Sequence, residues 1–519
     1  MKLDLVKQSP NVIDGSAAQG DLELMADVCV IGSGPGGAVA ASILAQAGKD
    51  VLLVEEGGYW DHHDFNGREK DVVPKLYQES MQRTTADAGI AILQGRAVGG
   101  GTAVNWTTSF RTPRHVVDHW RAHHAVGGFG YADLEPHWDA IERRLAIHQV
   151  PEAELNKNNR KLYDGCKALG WQVETLRRNT HQCLQSGLCG LGCPVNAKRS
   201  TLVTLIPDTI EAGGRLLHHA RIDRLDVGGA RASVAHGTLL DAPAAAPSGK
   251  RVRIKANRFV LSCGAINTPA LLLRSGFDHG HTVGERTFLH PVIASIGHYD
   301  EVIAGWNGAP QSAASHHFAD RGKDVGFFLE AVPFYPMLMS TALPGFGDER
   351  IERARQSAHV AAHIAIAIDG FHETTPGGRV RLRPSGMPLV DYPIPYAIWS
   401  AFRFAQERLA ELQLASGADH VLTIHDPPLV MKSKDDLSRV RSMPFEVGAC
   451  PVFTAHQMGG CRMGDDPRTS VVRSEDLRLH GLENVWVMDG SVFPTSLGVN
   501  PQESIFGLVR LMATRLAGR

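Results

Sequence analysis

Asp27-Val-Cys-Val-Ile31 runs directly into Gly32-Ser-Gly-Pro-Gly-Gly37, and this junction decides the fold. The first run is short, apolar and β-branched, which predicts a buried strand. The second fits G-x-G-x-x-G, whose glycines allow a tight turn, a close approach of backbone to pyrophosphate, and close helix–strand packing. An Ala-rich helix is predicted over about residues 36–46, and a second strand at Val51-Leu-Leu-Val54. The unit predicts a dinucleotide-binding βαβ fold whose cofactor contacts are Gly32, Ser33, Gly34 and Gly37.

An acidic pair directly follows the second strand. Glu55 stands about twenty residues beyond the glycine motif, where a carboxylate bonds the ribose hydroxyls of a dinucleotide. Glu56 is the rival for that role. The helix N-terminus offers its N–H groups and its positive dipole end to the phosphates. This unit alone does not separate FAD from NAD, so an NAD-dependent dehydrogenase stays open at this point.

Bulk composition excludes some classes of protein. The chain has 519 residues, enough for two to four domains, and its 53 Lys+Arg and 55 Asp+Glu leave a net charge of −2. Nucleic-acid binding needs a basic surface, so that class is disfavoured. We expect no transmembrane segment, because no apolar stretch approaches the roughly 20 residues that span a bilayer. Without an apolar secretory signal we expect a cytoplasmic protein, or a periplasmic one if a partner subunit carries it.

Further stretches of the chain are rich in glycine or carry histidine. They are Gly95-Arg-Ala-Val-Gly-Gly-Gly-Thr-Ala-Val-Asn-Trp106, Gly264-Ala-Ile-Asn-Thr-Pro-Ala-Leu-Leu-Leu-Arg-Ser-Gly276, Val283-Gly-Glu-Arg-Thr-Phe-Leu-His-Pro291, His456-Gln-Met-Gly-Gly-Cys-Arg-Met-Gly464, Val485-Trp-Val-Met-Asp-Gly-Ser-Val-Phe-Pro-Thr495 and Gly498-Val-Asn-Pro501. In residues, order and spacing they resemble the glucose–methanol–choline (GMC) oxidoreductases, among them bacterial alcohol, fatty-alcohol and cholesterol-oxidase-like members. The resemblance implies FAD as the cofactor.

The resemblance also implies a wider set of cofactor contacts. The stretch that begins at Gly95 matches the flavin-contacting segment of the family, and Ala220-Arg-Ile222 matches the strand that meets the adenine. The segment after Val485 matches the loop that returns to the phosphates. Carried over to this chain, the implied contacts are Arg96, Gly101, Thr102, Asn105, Trp106, Ile222, Asp489, Gly490, Asn500 and Pro501.

His456 and Asn500 are the catalytic candidates. Oxidising an alcohol removes a proton from oxygen and a hydride from carbon, and an imidazole titrates near neutrality. By resemblance, His456 is the base or the hydrogen-bond partner of the substrate hydroxyl, and Asn500 is its companion. The alternatives are a buried structural histidine for His456 and a helix N-cap for Asn500. His290 is expected to be a satisfied core histidine.

A cysteine cluster, Cys183, Cys189 and Cys193, has the spacing C-x5-C-x3-C-P. It resembles the three-cysteine iron–sulfur site of bacterial FAD-dependent glucose and fructose dehydrogenases, which implies a [3Fe-4S] cluster passing electrons to a carrier. Zinc, with His181 as a fourth ligand, and structural or uncomplexed cysteines stay open as alternatives.

The resemblance implies a discontinuous domain organisation. An α/β, Rossmann-like FAD-binding domain is expected from residues 20–130, 195–295 and 450–519, with a connecting or cap segment that carries the cysteines at 131–194. Residues 296–449 are expected to form an α+β substrate domain with an antiparallel sheet. Within it, strands are predicted at 359–368, 379–383 and 389–392, and a helix at 399–414.

The expected activity is FAD-dependent oxidation of an alcohol to an aldehyde or ketone. Residues 105–111 resemble long-chain fatty alcohol oxidases, which favours a hydrophobic or aromatic alcohol, and the apolar stretch 334–343 is either part of its pocket or ordinary core. A dehydrogenase is favoured over an oxidase, with a quinone, a cytochrome or oxygen as the electron acceptor. The alternatives are a sugar or polyol dehydrogenase that uses a [3Fe-4S] cluster, and a non-redox lyase on the same fold.

Overall fold

The computed structural model describes residues 3–242 and 245–518, and its first layer is a mainly parallel sheet. Its strands, in spatial order, are Val12–Asp14, Arg215–His218, Val51–Val54, Leu22–Ile31, Ala246–Leu261, Arg231–Asp241 and Ala220–Gly228, with Val485–Val487 also paired to Ala246–Leu261. The last three strands of the order pair antiparallel, and the other pairings are parallel. The predicted Rossmann-like fold is confirmed.

Burial explains why the centre of this sheet is uniformly apolar. All four residues of Val51–Val54 are buried, because helices cover both faces of a parallel sheet. The helix Pro35–Gln46 follows the glycine motif directly and packs against the helix Gln502–Ala517. Small side chains such as Ala38 and Ala41, both 0% exposed, let the two helices approach closely. The glycine loop, residues 32–37, is thereby fixed at the carboxyl edge of the sheet.

The second layer is a mainly antiparallel sheet, which confirms the antiparallel sheet that was expected in the second domain. Its strands are Val430–Met431, His420–Thr423, Val292–His298, Val360–Ala367, Phe327–Ala331, Ala313–Ser315 and Glu174–Thr175, with Val452–Thr454 and Ile90–Ile92 attached. The helices Tyr396–Ala415 and Lys157–Ala168 pack on one face of this sheet. The opposite face is directed towards the glycine loop.

A separate four-stranded sheet contains two of the predicted strands. It consists of Pro388–Asp391, Gly378–Leu382, Glu285–Phe288 and Met458–Gly459. The strands expected near 379–383 and 389–392 therefore form, but they pair with each other and with Glu285–Phe288 instead of with Val360–Ala367. The helix Gly264–Arg274 packs against this sheet, which is separate from the larger antiparallel one.

Shorter elements complete the described residues. The remaining α-helices are Leu3–Val6, Glu69–Leu76, Arg114–His123, Tyr131–Leu145, Leu205–Glu211, Pro336–Ala342 and Asp348–Arg355, and Ile147–Gln149 pairs with Arg177–Asn179. Within residues 3–242 and 245–518, no helix combines the length and apolar character needed to cross a bilayer.

Candidate active site

A deep cleft separates the carboxyl edge of the parallel sheet from the antiparallel sheet. Strand ends such as Ile31 and Val54 form one wall, and Val292, Ile364 and Ile366 of the antiparallel sheet lie on the other. Every sequence-predicted cofactor or catalytic residue lines this cleft except Gly37. The fold therefore brings together residues that are separated by up to several hundred positions in the chain.

The glycine loop is shaped by close contacts on one side and open space on the other. A Cβ on Gly32, whose φ is +103°, would lie 2.1 Å from the Ser262 carbonyl oxygen, and one on Gly37 would lie 1.8 Å from the Gly32 carbonyl oxygen. By contrast, the nearest atom to a Cβ on Gly34 is 3.9 Å away. Gly37 is thus needed for packing, and Gly34 presents bare backbone to the cleft, where a pyrophosphate fits.

The segment around Gly101 lines the middle of the cleft. A Cβ on Gly101 would have no neighbour within 4 Å, so a flat ring can approach this backbone. The Thr102 hydroxyl donates to the Gly99 carbonyl oxygen at 2.6 Å, which fixes the turn. Asn105 Nδ2 donates to Gln502 Oε1 at 2.7 Å and so ties this segment to the start of the helix Gln502–Ala517. Arg96 and Trp106 also line the cleft.

Glu55 is buried and supports the glycine loop. One carboxylate oxygen accepts the Ser33 backbone N–H at 3.0 Å and the Ser33 hydroxyl at 2.6 Å, and the other accepts the Gly57 N–H at 2.9 Å. Burial raises the pKa of Glu55, and these hydrogen bonds oppose the rise. Glu56 and Ile222 line the cleft beside it. The choice between Glu55 and Glu56 as the ribose ligand remains a prediction.

Asp489 connects two of the glycine-rich turns. Its Oδ2 accepts the Gly264 N–H at 2.9 Å and the Thr268 hydroxyl at 2.6 Å, and its Oδ1 accepts the Ser491 N–H at 2.8 Å. The stretch after Gly264 therefore joins the loop after Val485–Val487 at one edge of the sheet. Gly490 lines the cleft at this junction. Together with the open backbone of the glycine loop, this arrangement fits an FAD-sized dinucleotide along the edge.

His456 and Asn500 meet in the cleft. His456 Nε2 lies 3.3 Å from Asn500 Nδ2, and His456 Nδ1 lies 3.2 Å from His290 Nδ1. Burial lowers the pKa of His456 to about 4, so the ring is neutral at neutral pH. Asn500 does not cap the last helix, because Pro501 stands at the N-cap and no side chain caps there. An imidazole beside an amide is suited to holding a hydroxyl group.

Glu330 is a cleft residue that the sequence reasoning missed. It lies in Phe327–Ala331, is 0% exposed, and its Oε2 accepts from Gln311 Nε2 at 2.7 Å and from Asn500 Nδ2 at 3.3 Å. Burial raises the pKa of Glu330 to about 8. A carboxylate inside the run Phe-Phe-Leu-Glu-Ala is itself a signal, because ionisable residues are rarely buried without a purpose.

Apolar side chains surround these polar groups. Ile364 and Ile366 share one face of Val360–Ala367, and their cross-strand neighbours include Glu330 and Val292. Phe453 lines the same part of the cleft. The segment 334–343, which the sequence left open as pocket lining or ordinary core, does not line it. Instead, the Tyr335 hydroxyl donates to the Gly187 carbonyl oxygen at 2.6 Å and holds the cysteine-bearing loop.

The three clustered cysteines face one small cavity together with two cations. Arg178 and Lys198, which are 2% and 3% exposed, line this cavity with Cys183, Cys189 and Cys193. An Arg178 guanidinium nitrogen lies 3.6 Å from the Cys189 sulfur, and the Lys198 backbone N–H lies 3.4 Å from the Cys193 sulfur. Two buried cations among thiols favour an anionic group there. The three sulfurs are not within 4.8 Å of one another, whereas tetrahedral zinc needs about 3.8 Å.

Comparisons with known proteins agree with this geometry. Two family models for GMC oxidoreductases match residues 73–292 and 377–508, and a model for an FAD binding domain matches residues 25–61. An uncharacterised GMC-type oxidoreductase of Mycobacterium tuberculosis is 32% identical over 95% of this chain and 76% of its own length. A long-chain-alcohol oxidase of Arabidopsis thaliana is 30% identical over 92% of this chain and 65% of its own length.

A solved structure shares the fold. Pyridoxine 4-oxidase from Mesorbium loti superposes with a TM-score of 0.69 at 18% identity, over 95% of this chain and 99% of its own. The predicted resemblance is thereby confirmed by sequence and by fold. With its FAD-binding domain, its antiparallel second domain and matches over both halves, the chain belongs to the GMC oxidoreductase family.

Proposed function

We propose that this protein oxidises an alcohol to an aldehyde or ketone, with His456 and Asn500 binding the reacting hydroxyl group. The observation that supports this proposal most is the placement of these two side chains, 3.3 Å apart, in the cleft that the predicted FAD contacts also line. Oxidases of alcohols among the relatives point in the same direction. Bound FAD supplies the hydride acceptor.

The chain's own residues orient the substrate. The imidazole of His456 and the amide of Asn500 hold the hydroxyl oxygen, and the antiparallel sheet excludes water above it. The carbon chain of the substrate lies against Ile364, Ile366 and Phe453, which favours a hydrophobic or aromatic alcohol over a sugar. A sugar would leave its other hydroxyl groups without partners on this wall, at a cost of about 1–3 kcal/mol each.

The cysteine loop supports a second proposal about the electron path. Cys183, Cys189 and Cys193 are candidates to hold a [3Fe-4S] cluster, which would supply a one-electron carrier. Lys198 supports it, because its ammonium group donates both to the Cys189 carbonyl oxygen at 2.7 Å and to the Asn105 carbonyl oxygen at 3.1 Å. The cysteine loop and the flavin-contacting segment are thus joined through one side chain.

The test is the visible spectrum of the anaerobically purified protein, with iron and sulfide assays, followed by addition of dodecanol, benzyl alcohol or glucose. We expect flavin absorbance that bleaches with dodecanol or benzyl alcohol and not with glucose. His456→Ala should slow bleaching by about 10²- to 10⁴-fold while it retains FAD. Bleaching by glucose alone would contradict the hydrophobic substrate class.

The same samples test the electron path and the reaction class. About three irons per flavin would support the cluster, and flavin bands without iron would exclude it from the purified protein. Reoxidation of the bleached flavin by oxygen, compared with a quinone or cytochrome, separates oxidase from dehydrogenase. A protein that binds FAD but is bleached by no alcohol would overturn the oxidation and favour the non-redox lyase.

A further inference from the structure

A cluster of two histidines and one aspartate lies at the carboxyl edge of the parallel sheet, outside the cleft. The edge strand Val12–Asp14 pairs parallel with Arg215–His218, in a register that sets Asp14 directly beside His218. His219 follows at once, and none of these three side chains lines the cleft. The carboxyl ends of parallel strands are where open α/β sheets bind their ligands. The function proposed above uses no part of this cluster.

The backbone at His219 brings both imidazole rings to the same side. Successive side chains of an extended strand point to opposite faces, so two adjacent histidines normally diverge. His219 instead has a φ of +53°, a left-handed conformation that side chains other than glycine rarely adopt. As a result, His218 Nδ1 and His219 Nδ1 lie only 3.1 Å apart. Strained backbone of this kind is concentrated at functional sites.

Three ligand-type atoms form a compact triangle at this point. His219 Nδ1 lies 2.9 Å from Asp14 Oδ1, and His218 Nδ1 lies 3.7 Å from the same oxygen. Around a tetrahedral zinc ion, with metal–ligand distances of about 2.0–2.2 Å, nitrogen and oxygen ligands lie about 3.3–3.6 Å from one another. The three observed separations of 2.9, 3.1 and 3.7 Å bracket this spacing. A small movement of the Asp14 side chain is enough to seat such an ion.

Hydrogen bonds alone do not satisfy the triangle. A proton on His219 Nδ1 can be directed at Asp14 or at His218, but not fully at both. If His218 Nδ1 carries the proton instead, the bare nitrogen of His219 faces the Asp14 carboxylate at 2.9 Å, which is repulsive. Burial lowers the pKa of His218 to about 4, so this ring is neutral and has a lone pair to offer. A cation between the three atoms satisfies all of them.

Neighbouring groups hold the ligands in place. Ser16 donates its hydroxyl at 2.7 Å and its backbone N–H at 2.9 Å to Asp14 Oδ1. Tyr59 and Trp60 pack edge-on against the two imidazole rings, with ring centroids 6.1 and 6.0 Å away. Partners that orient the ligands in this way are a regular part of metal sites. The Asp14 side chain is 43% exposed, which leaves room for water as a further ligand.

Burial distinguishes this cluster from similar groups in the chain. Among the described residues, three groups bring histidine and acidic ligand atoms within 4.8 Å of one another, and only this one has two buried histidines. The other two are Asp61, His62 and His63, and His298, Asp419 and His420. Side chains that are locked by packing bind a metal better than mobile surface side chains, because less order has to be gained on binding.

We propose that Asp14, His218 and His219 bind a divalent transition-metal ion of the zinc type, with water in the fourth position. Two imidazoles and one carboxylate are ligands that zinc takes readily. The ion ties the edge strand Val12–Asp14 to the end of Arg215–His218 and so stabilises this side of the sheet. The inference concerns stability at this edge and is independent of the proposed alcohol oxidation.

The experiment titrates zinc into the FAD-loaded protein after treatment with a chelator. We expect calorimetry to show one tightly bound zinc ion per chain, and the unfolding temperature to rise as zinc is added. Asp14→Asn keeps the shape and the Ser16 contacts but removes the charge, and His219→Asn introduces a residue that tolerates the left-handed backbone. Loss of an outer partner typically weakens a metal site about 10- to 100-fold, so loss of a ligand should weaken zinc binding at least about 100-fold.

A matched variant and two further signals provide controls. Asp419→Asn makes the same change in one of the less buried groups and should leave the zinc affinity unchanged. Cobalt difference spectra should show the bands of nitrogen and oxygen ligands, without the sulfur-to-metal charge-transfer bands that the cysteine loop would give. These bands should disappear in His219→Asn. Zinc should also slow amide hydrogen exchange over residues 12–18 in the unaltered protein and not in Asp14→Asn.

Three results would overturn the site. The first is a zinc affinity that is the same in Asp14→Asn, in His219→Asn and in the unaltered protein. The second is a set of sulfur-to-cobalt bands that both variants retain, because the cysteine loop would then hold the metal. The third is an unaltered protein that binds no zinc at micromolar concentration. None of these measurements involves alcohol turnover, so failure of the proposed function and failure of this inference are distinguishable.

Discussion

At the scale of single residues, the position of the proton on His290 affects its neighbour His456. His290 does not need to touch a substrate to matter. The Gly498 N–H donates to its Nε2 at 3.2 Å, so a neutral His290 carries its proton on Nδ1, which lies 3.2 Å from His456 Nδ1. The sequence indicated only a core histidine before Pro291, and its 0% exposure agrees with that interpretation. Its two ring contacts add a positioning role that burial alone does not reveal.

Replacing His290 tests that positioning role. His290→Leu removes the donor to His456 Nδ1, which costs about 1–3 kcal/mol and should lower kcat for alcohol-dependent flavin reduction by about 5- to 150-fold. His290→Asn places an amide N–H near the lost Nδ1–H and should recover part of the rate. The measurement is stopped-flow bleaching with benzyl alcohol. An unchanged rate in His290→Leu would show that His456 keeps its orientation without this bond.

Some residues of the cleft could be predicted from the sequence, and others could not. His456 and Asn500 could be predicted because each belongs to a motif with a recognisable neighbour pattern, Gly-Gly-Cys or Asn-Pro. Glu330 and Gln311 could not, since they stand alone in apolar strands and meet the cleft only through the pairing of Phe327–Ala331 with its neighbours. Long-range strand pairing is a tertiary property that no local pattern specifies.

At the scale of elements, the turn from Leu22–Ile31 into the helix Pro35–Gln46 combines two requirements. Gly37 must leave room for the backbone of the protein itself, and Gly34 must leave room for a ligand. Periodicity and glycine spacing were enough to predict this unit. They could not show that the strands near 379–383 and 389–392 would form a separate sheet, because the deciding partner, Glu285–Phe288, lies about a hundred residues earlier.

The two glycine requirements predict different effects of the same substitution. Gly37→Ala forces a methyl group against the Gly32 carbonyl oxygen at 1.8 Å and should destabilise the protein by about 1–3 kcal/mol even without FAD. Gly34→Ala meets nothing closer than 3.9 Å, so the apoprotein should unfold at the same temperature while FAD binds more weakly. Thermal unfolding and flavin fluorescence titration measure both. Equal losses of stability would contradict this division.

For the whole molecule, buried ionisable groups set opposite limits on stability. The folded state raises the pKa of Glu55, Glu330, Asp369, Asp489 and Glu503, so it holds protons that the unfolded chain releases, and stability falls as pH rises above about 4.5. It also lowers the pKa of buried histidines to about 4 from 6.5, which removes stability as pH falls through that range.

We therefore expect the unfolding temperature of the apoprotein to be highest at weakly acidic pH and to decline towards pH 9. Glu330→Gln removes one group that resists ionisation, so its unfolding temperature should exceed that of the unaltered protein above about pH 8. Glu407→Gln, which removes a carboxyl group of the helix Tyr396–Ala415, serves as the control, and its curve should differ from that of the unaltered protein by a similar amount at pH 6 and at pH 9. Calorimetry over this range gives the result, and a stability that increases up to pH 9 would refute the assignment of raised carboxyl pKa values.

The strand Val485–Val487 closes the parallel sheet beside Ala246–Leu261, which itself pairs with Leu22–Ile31. During synthesis the glycine loop leaves the ribosome first. The two strands that complete its edge of the sheet, Ala246–Leu261 and Val485–Val487, follow more than two hundred and more than four hundred residues later. During translation the early βαβ unit therefore lacks Asp489, Asn500 and the covering helix Gln502–Ala517. We therefore expect FAD to bind only after these C-terminal residues have been synthesised, because the complete binding edge forms only then.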